Sequence, residues 1–437
     1  MPEAEEVYPS LLSKANEIAQ FFKNSAREDR FFHIFSHIDA DGIASASIIC
    51  GILSKLGAPF QLRCLPQLTS YNIEEVCEQV RENSVVVFTD FGSGQGELIA
   101  HVSKKQGCQI VIVDHHPPTG SKPSCCLEIN PCLEGLDGTV HACSASIAFL
   151  VAKSLNTFYR EAAELAILGA LGDRQDCGDK GSLTGLNQLI CEEAERMGIL
   201  ERKIGLRLFG FETRPLVKAL EYTTDPLLPG LTGDEGACLK FLKSIGIPPQ
   251  DNGEWRSASD LTRDEMRRLV TSLIKYLISK GADVNEAERI VGYVYTFPSE
   301  PADTPLRDAR EAASLLSACG RMNAWSIGVA ICLGDREEAL MEALEVLKSY
   351  RKLLSQLLNE LFSGDKLARK GIIYSFHLED KVDEKVLSAV TSCLFSPSRF
   401  EDNSILVGFV NTPLYVKVSA RCSPKLARRG FHLGQAV

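Results

Sequence analysis

The sequence predicts an α/β protein: a doubly wound, largely parallel sheet, then a helical insertion, then a second, smaller α/β domain, with a cleft between the two α/β domains. Three observations carry this. Short apolar runs at 31–35, 85–88 and 110–113 alternate with helix-length segments at 43–56, 73–81 and 94–106, the order that covers both faces of a parallel sheet. A chain of 437 residues is too long for one core. Finally, Asp225-Pro226-Leu227-Leu228-Pro229-Gly230 reads as a break and a new α/β pattern starts near residue 289, which divides the chain into 1–225, 226–288 and 289–437.

Each element follows from its spacing. Leu11, Leu12, Ala15, Ile18, Ala19 and Phe22 share one face of a helix over 8–26. After the first three strand and helix pairs, residues 185–220 read as helical, with Leu186, Leu189, Ile190 and Ala194 on one face. Residues 231–288 form a mostly helical insertion holding Trp255 and a charged helix over 262–279, either a spacer or a surface for a partner. Beyond it come strands at 290–296, 326–332, 372–376, 405–410 and 414–418, and helices at 307–318 and 336–362.

Composition excludes several classes. Hydrophobic and charged contents of 45% and 24% are those of a soluble globular chain. A net charge of −10 argues against a protein that coats duplex DNA. The fifteen cysteines show no C-x-x-C spacing and read as reduced thiols of a cytoplasmic protein. The acidic start, Met1-Pro2-Glu3-Ala4-Glu5-Glu6, lacks the regions of a signal peptide, and no apolar run is long enough for a bilayer, so no membrane partner is expected.

The chemistry sits at the strand ends. The first apolar run stops at His37-Ile38-Asp39-Ala40-Asp41-Gly42, where three potential ligands fall at every second position. The second runs into Asp90-Phe91-Gly92 and the third into Asp114-His115-His116-Pro117-Pro118. A fourth cluster, Gly172-Asp173-Arg174-Gln175-Asp176, follows an alanine-rich helix. Any one of these reads equally as a helix cap or a solvated turn. Four together, three of them at the edge where open α/β sheets hold ligands, point to a metal site, because carboxylates crowded without a cation repel.

In this order the motifs resemble those of the DHH phosphoesterases, most of all the archaeal RecJ-like single-strand exonucleases, including the nuclease associated with GINS. Leu306-Arg307-Asp308-Ala309-Arg310-Glu311, Cys319-Gly320-Arg321 and Lys417-Val418-Ser419-Ala420-Arg421 look like the family's second domain. The resemblance implies a DHH-type catalytic domain and two Mn²⁺ ions, with Mg²⁺ as the other option: His37, Asp39 and Asp90 on one ion, Asp41, Asp90, His115 and Asp173 on the other. His116 would face the phosphate and Asp114 would orient a ligand. Lys417 and Arg421 lie in a tail whose residues 411–437 carry five basic and no acidic side chains, and would bind substrate. Relatives continue into a glycine-rich Gly-Gly-His segment, and this sequence reaches Val437 before it. The implied activity is exonucleolytic cleavage of single-stranded DNA or RNA in replication or repair, with GINS and the replicative helicase as partners. Two alternatives are a phosphodiesterase of short oligoribonucleotides or cyclic dinucleotides, and a non-catalytic scaffold associated with GINS.

Overall fold

The computed structural model describes residues 8–433 apart from 121, 122, 124, 125, 225, 363–365, 380, 381, 396–399, 402, 424, 427, 428 and 432. The acidic start, Asp225, Arg428 and Val437 therefore lie outside the described residues. The chain forms two compact units: one holds the residues up to Lys203 and Tyr293–Val346, the other Ile204–Gly292 and the residues from Leu347 on.

In the first unit, helix α1 (Pro9–Arg27) leads into β1 (Phe32–His37), α2 (Ala40–Leu56), β2 (Phe60–Leu65), α3 (Ile73–Gln79), β3 (Val85–Thr89), α4 (Gly96–Gln106), β4 (Gln109–Val113) and β5 (Cys126–Ile129). The five strands are parallel in the order β2-β1-β3-β4-β5. The sheet therefore reverses its winding between β1 and β3, the position at which such sheets keep their ligands. Strand periodicity explains the layers. Phe35, Phe88 and Ile112 share one face with Ile73, Val76, Ile99 and Val102 of α3 and α4. Phe32 points to the other, where Phe22 of α1 meets it edge-on. On that side α2 packs against α5 (Ser144–Leu155) and α6 (Tyr159–Gly172).

After α7 (Gly185–Arg196) and β6 (Glu201–Leu206) the chain enters the second unit. Helices α8 (Leu216–Tyr222), α9 (Glu235–Ser244), α10 (Arg263–Ser279) and α11 (Val284–Glu288) share an apolar core there, built on Leu220, Leu242, Leu273 and Ile290. A short hairpin, β7 (Gln250–Asp251) and β8 (Glu254–Trp255), joins α9 to α10. Strand β9 (Val291–Thr296) returns the chain to the first unit, where α12 (Ala309–Arg321) and α13 (Trp325–Cys332) follow. The long α14 (Glu338–Phe362) leads back to the second unit and its four-stranded sheet: β10 (Ala368–Lys370), β11 (Ile373–His377), β12 (Ile405–Asn411) and β13 (Val416–Cys422), with α15 (Leu387–Leu394) before β12.

Three expectations change. Residues 326–332 are helix α13, not a strand; an eight-residue apolar run does not distinguish a buried helix from a strand by periodicity. The stretch 185–220 is broken by β6. The boundaries at 225 and 289 also move, because 204–225 join the insertion, whereas 293–346 belong with the parallel sheet. The motif at 306–321 accordingly lies in the first unit, and its charged residues build structure there. Arg307 donates to the carbonyls of Phe297, Pro298 and Glu300. Asp308 caps α12 by accepting from Arg310 N and Glu311 N at 2.9 and 3.0 Å. Arg310 forms an ion pair with Asp176.

Helix α12 touches the first motif at Gly320, where any Cβ would fall on the Ile38 carbonyl oxygen. Gly320→Ala must push α12 off the loop between His37 and Asp39. Chemical unfolding of the variant should show a loss of about 1–3 kcal/mol, and an unchanged midpoint would mean that this contact is loose in solution.

Candidate metal centre

The site is assembled at the carboxyl edge of β1, β3 and β4. His37 is the last residue of β1 and the extended alternation ends with it, since α2 starts at Ala40. Asp39 serves two purposes. Its Oδ1 accepts from Gly42 N at 3.0 Å and caps α2, while Oδ2 stands 2.9 Å from His37 Nδ1. Asp41 falls in the first turn of α2 and turns away from that pair. It takes the N–H groups of Ser144 and Ala145, at the start of α5, on its two oxygens at 2.7 and 2.9 Å. Residues 37, 39 and 41 therefore do not share a side as an extended segment would have placed them; the helix divides them between two clusters.

Asp90, directly after β3, joins the clusters. It is buried and adopts a left-handed backbone (φ 62°), a conformation that aspartate tolerates better than most residues. Its Oδ2 lies 3.4 Å from His37 Nδ1 and its Oδ1 3.3 Å from His115 Nε2. Asp173, at the C-terminus of α6, puts Oδ2 3.2 Å from His115 Nε2, and Asp41 Oδ2 is 3.8 Å from the same nitrogen. His37, Asp39 and Asp90 thus offer one set of converging ligand atoms, and Asp41, His115 and Asp173 another; a third grouping, Asp90 with His115 and His116, overlaps both sides.

Hydrogen bonding does not account for this convergence. The buried atoms His37 Nδ1, Asp90 Oδ2 and His115 Nε2 make no hydrogen bond of good geometry among the described residues, although carboxylate oxygens of Asp39 and Asp173 stand 2.9 and 3.2 Å from the two nitrogens. Buried polar atoms are nearly always paired. Three that point at a common space without pairing fit a cation, and two imidazoles with four carboxylates form a donor set suited to Mn²⁺.

The second layer fixes the first. His115 Nδ1 donates to the Gly138 carbonyl at 2.7 Å, which leaves Nε2 as the free donor atom of the neutral ring. The same carbonyl accepts from Gln175 Nε2 at 2.9 Å; Gln175 Oε1 accepts from Asn187 Nδ2 at 2.6 Å, and Asn187 Oδ1 from Ser146 Oγ at 2.5 Å. Gln175 and Asn187 are fully buried. Asp114 is buried and saturated: it accepts from Ser93 N, His115 N, His116 N and His116 Nδ1 at 2.8–3.1 Å. Burial raises its carboxyl, but these donors, His116 first, hold it down at about 2. It positions the motif instead of binding in the cluster. His116, by contrast, keeps a side chain 53% exposed.

The structure brings together His37, Asp39, Asp41, Asp90, His115 and Asp173, the ligands proposed from the sequence; Gln175, Asn187 and Ser146 received no role there, because their polar side chains carry no spacing signal. The substrate residues expected in the tail lie in the second unit. The register of β12 and β13 puts Lys417 and Arg421 on one face of the sheet with Val410 and Leu406, and Arg421 Nε donates to Ser392 of α15 at 3.0 Å.

Without cations the cluster holds protons. Burial, and then the charges of Asp90 and Asp173, push Asp41 well up; burial also raises Asp173. Burial alone would lower His37 and His115, but Asp39 and Asp90 raise the first well above 6.5, and Asp173 and Asp90 the second. All four groups bind protons more tightly folded than unfolded, so they stabilise the metal-free fold at low pH and stop doing so as pH rises through their folded values. Asp39 and Asp114 are lowered and act oppositely, but only in acid. The melting temperature of metal-free protein should therefore fall as pH is raised above about 6.5, and saturating Mn²⁺ should remove that slope. A metal-free protein equally stable at pH 6.5 and 9 would contradict the charge crowding. In metal analysis, His115→Ala should lose metal while His116→Ala keeps it; equal loss would remove the distinction between them.

Residues 32–171 match the family model described as the N-terminal domain of the DHH family, and residues 208–291 match the DHH-CID domain. The uncharacterized protein MJ0831 of Methanocaldococcus jannaschii is 29% identical over 415 residues, which is 93% of this chain and 84% of that protein. Among solved structures, CDC45 from Entamoeba histolytica superposes with a TM-score of 0.67 at 12% identity, covering 95% of this chain and 89% of that one. RecJ from Thermus thermophilus in complex with Mn²⁺ gives 0.51 at 15% identity over 90% of this chain, which spans about half the length of that RecJ (46%). A second exonuclease RecJ, bound to manganese, gives 0.52 at 14% identity and covers 91% and 80% of the two chains. At these identities the structural likeness concerns the fold. Among the described residues no helix is long and apolar enough to cross a membrane.

Proposed function

We propose, from the match of residues 32–171 and 208–291 to the DHH and DHH-CID family models, that the chain is an Mn²⁺-dependent phosphodiesterase that removes nucleotides from the end of a single strand of DNA or RNA. The observation that supports this reading is the full ligand set around Asp90, in which three buried atoms, His37 Nδ1, Asp90 Oδ2 and His115 Nε2, are left without a well-formed hydrogen bond. A scaffold without catalysis has no need of buried ligand atoms left without partners. Fully bound, two ions would activate a water and stabilise the charge that develops on phosphorus and on the leaving oxygen.

The protein's own groups supply the rest. His37, Asp39 and Asp90 would hold one ion, and Asp41, Asp90, His115 and Asp173 the second. His116 would act on the substrate. Its Nδ1 is tied to Asp114 at 2.8 Å, which leaves Nε2 as the ring nitrogen available to substrate on a half-exposed side chain. Burial would lower its ring, but the hydrogen bond and charge of Asp114 raise it above the ordinary histidine value, favouring a protonated ring that donates to a phosphate oxygen or to the leaving group. Lys417 and Arg421 are the proposed backbone contacts of the second unit, and GINS with the replicative helicase the proposed partners, on the resemblance of the motifs.

End-labelled single strands of DNA and RNA incubated with Mn²⁺ test the activity. The protein should release labelled mononucleotides and Asp90→Ala should fall to background; substantial hydrolysis by the variant would remove Asp90 from the centre. For Arg421→Ala, a lost phosphate contact should lower the log-log dependence of single-strand affinity on salt by roughly 0.7. Identical slopes would leave Arg421 as a structural bond to Ser392.

A further inference from the structure

Away from the metal centre, the first unit contains a cavity of about 490 Å³. The C-terminal half of α2 and the N-terminal half of α6 form two of its walls, and α12 with the end of α13 closes it. The volume is that of a small-molecule site. Its lining is mostly apolar, through Leu165, Leu168, Phe297, Leu306, Leu316 and Ile331. Its charged residues are Lys55, Glu161, Glu164 and Arg336, and of these only Glu164 is not exposed. This half-buried acid makes no hydrogen bond or ion pair among the described residues.

The charges nearby do not neutralise it. Arg336 also lines the cavity, but its guanidinium is committed to Glu300 at 2.8 and 3.0 Å and to the Ile331 carbonyl at 2.6 Å. Lys55 and Glu161, at the rim, are exposed. Burial, then the charge of Glu300, push the Glu164 carboxyl up to about 7, and the charge of Arg336 only partly opposes them. The rim is also strained. Phe158 takes a left-handed backbone (φ 55°), which is unusual for a bulky residue, and its ring occupies the space a side chain at Gly51 would need.

An acid that forms no ion pair at the wall of a largely apolar cavity, with the nearby Arg336 engaged by Glu300, asks for a cation carrying an apolar body. An anionic ligand would meet Glu164 and find the guanidinium of Arg336, which is exposed, already paired with Glu300. We propose that this cavity is a binding site for an aliphatic ammonium, with its charge on Glu164 and its alkyl chain against Leu168, Leu316 and Ile331. The site is separate from the metal ligands, which stand at the opposite ends of the same helices: Asp39 and Asp41 at the start of α2, Asp173 at the end of α6.

Calorimetric titration of the full chain with n-hexylamine, 1-hexanol and hexanoate at pH 8 tests the assignment. The amine should bind at least tenfold more tightly than the alcohol, and hexanoate should bind least. Glu164→Gln preserves shape and removes the charge, so it should fold and retain metal as wild type does while losing the preference for the amine. Equal binding of amine and alcohol, a preference for hexanoate, an amine preference that survives in Glu164→Gln, or no amine binding by the wild type would each overturn the proposal.

Discussion

Five aspartates, Asp39, Asp41, Asp90, Asp114 and Asp173, converge on one edge of a sheet, four of them around ligand atoms that point at one another. Like charges brought together out of water repel, and the pair energies grow as the local dielectric falls. The fold therefore has to provide positive potential at this edge, and much of its construction does so. Asp41 sits on the N–H groups at the start of α5 and Asp39 on those of α2, where the helix ends favour negative charge. Asp114 is surrounded by three backbone N–H groups and an imidazole. What remains uncompensated lies around Asp90, and there the unpaired nitrogens and oxygen collect.

The same constraint explains the topology. Strands β1, β3 and β4 are neighbours, so residues immediately after each strand arrive within a few ångströms of one another although 78 residues separate His37 from His115. Helix α6 brings Asp173 from further along the chain, and α12 closes over the loop after His37 through Gly320. Rigid elements on every side suit a centre whose ligand atoms must be held in one arrangement.

The parallel sheet and its ligands were legible because both signals are local: an apolar run of four or five residues, then a carboxylate or histidine with no intervening turn. What lay beyond reach was non-local. The membership of 293–346 in the first unit depends on α12 and α13 packing on α2 and α6, and no spacing within 306–321 announces it. The edge strands Phe60–Leu65 and Cys126–Ile129 carry polar residues such as Gln61, Arg63 and Glu128 that break the apolar pattern. Asp39 shows why a capping motif and a metal motif look alike in sequence: one oxygen caps the helix and the other faces His37.

Asp90 is proposed to be shared between two cation sites. Anomalous diffraction from crystals grown with Mn²⁺ addresses it most directly. Two peaks are expected, one beside His37 and Asp39 and one beside Asp41, His115 and Asp173, each within coordination distance of an oxygen of Asp90. A single peak, or two of which only one touches Asp90, would contradict it.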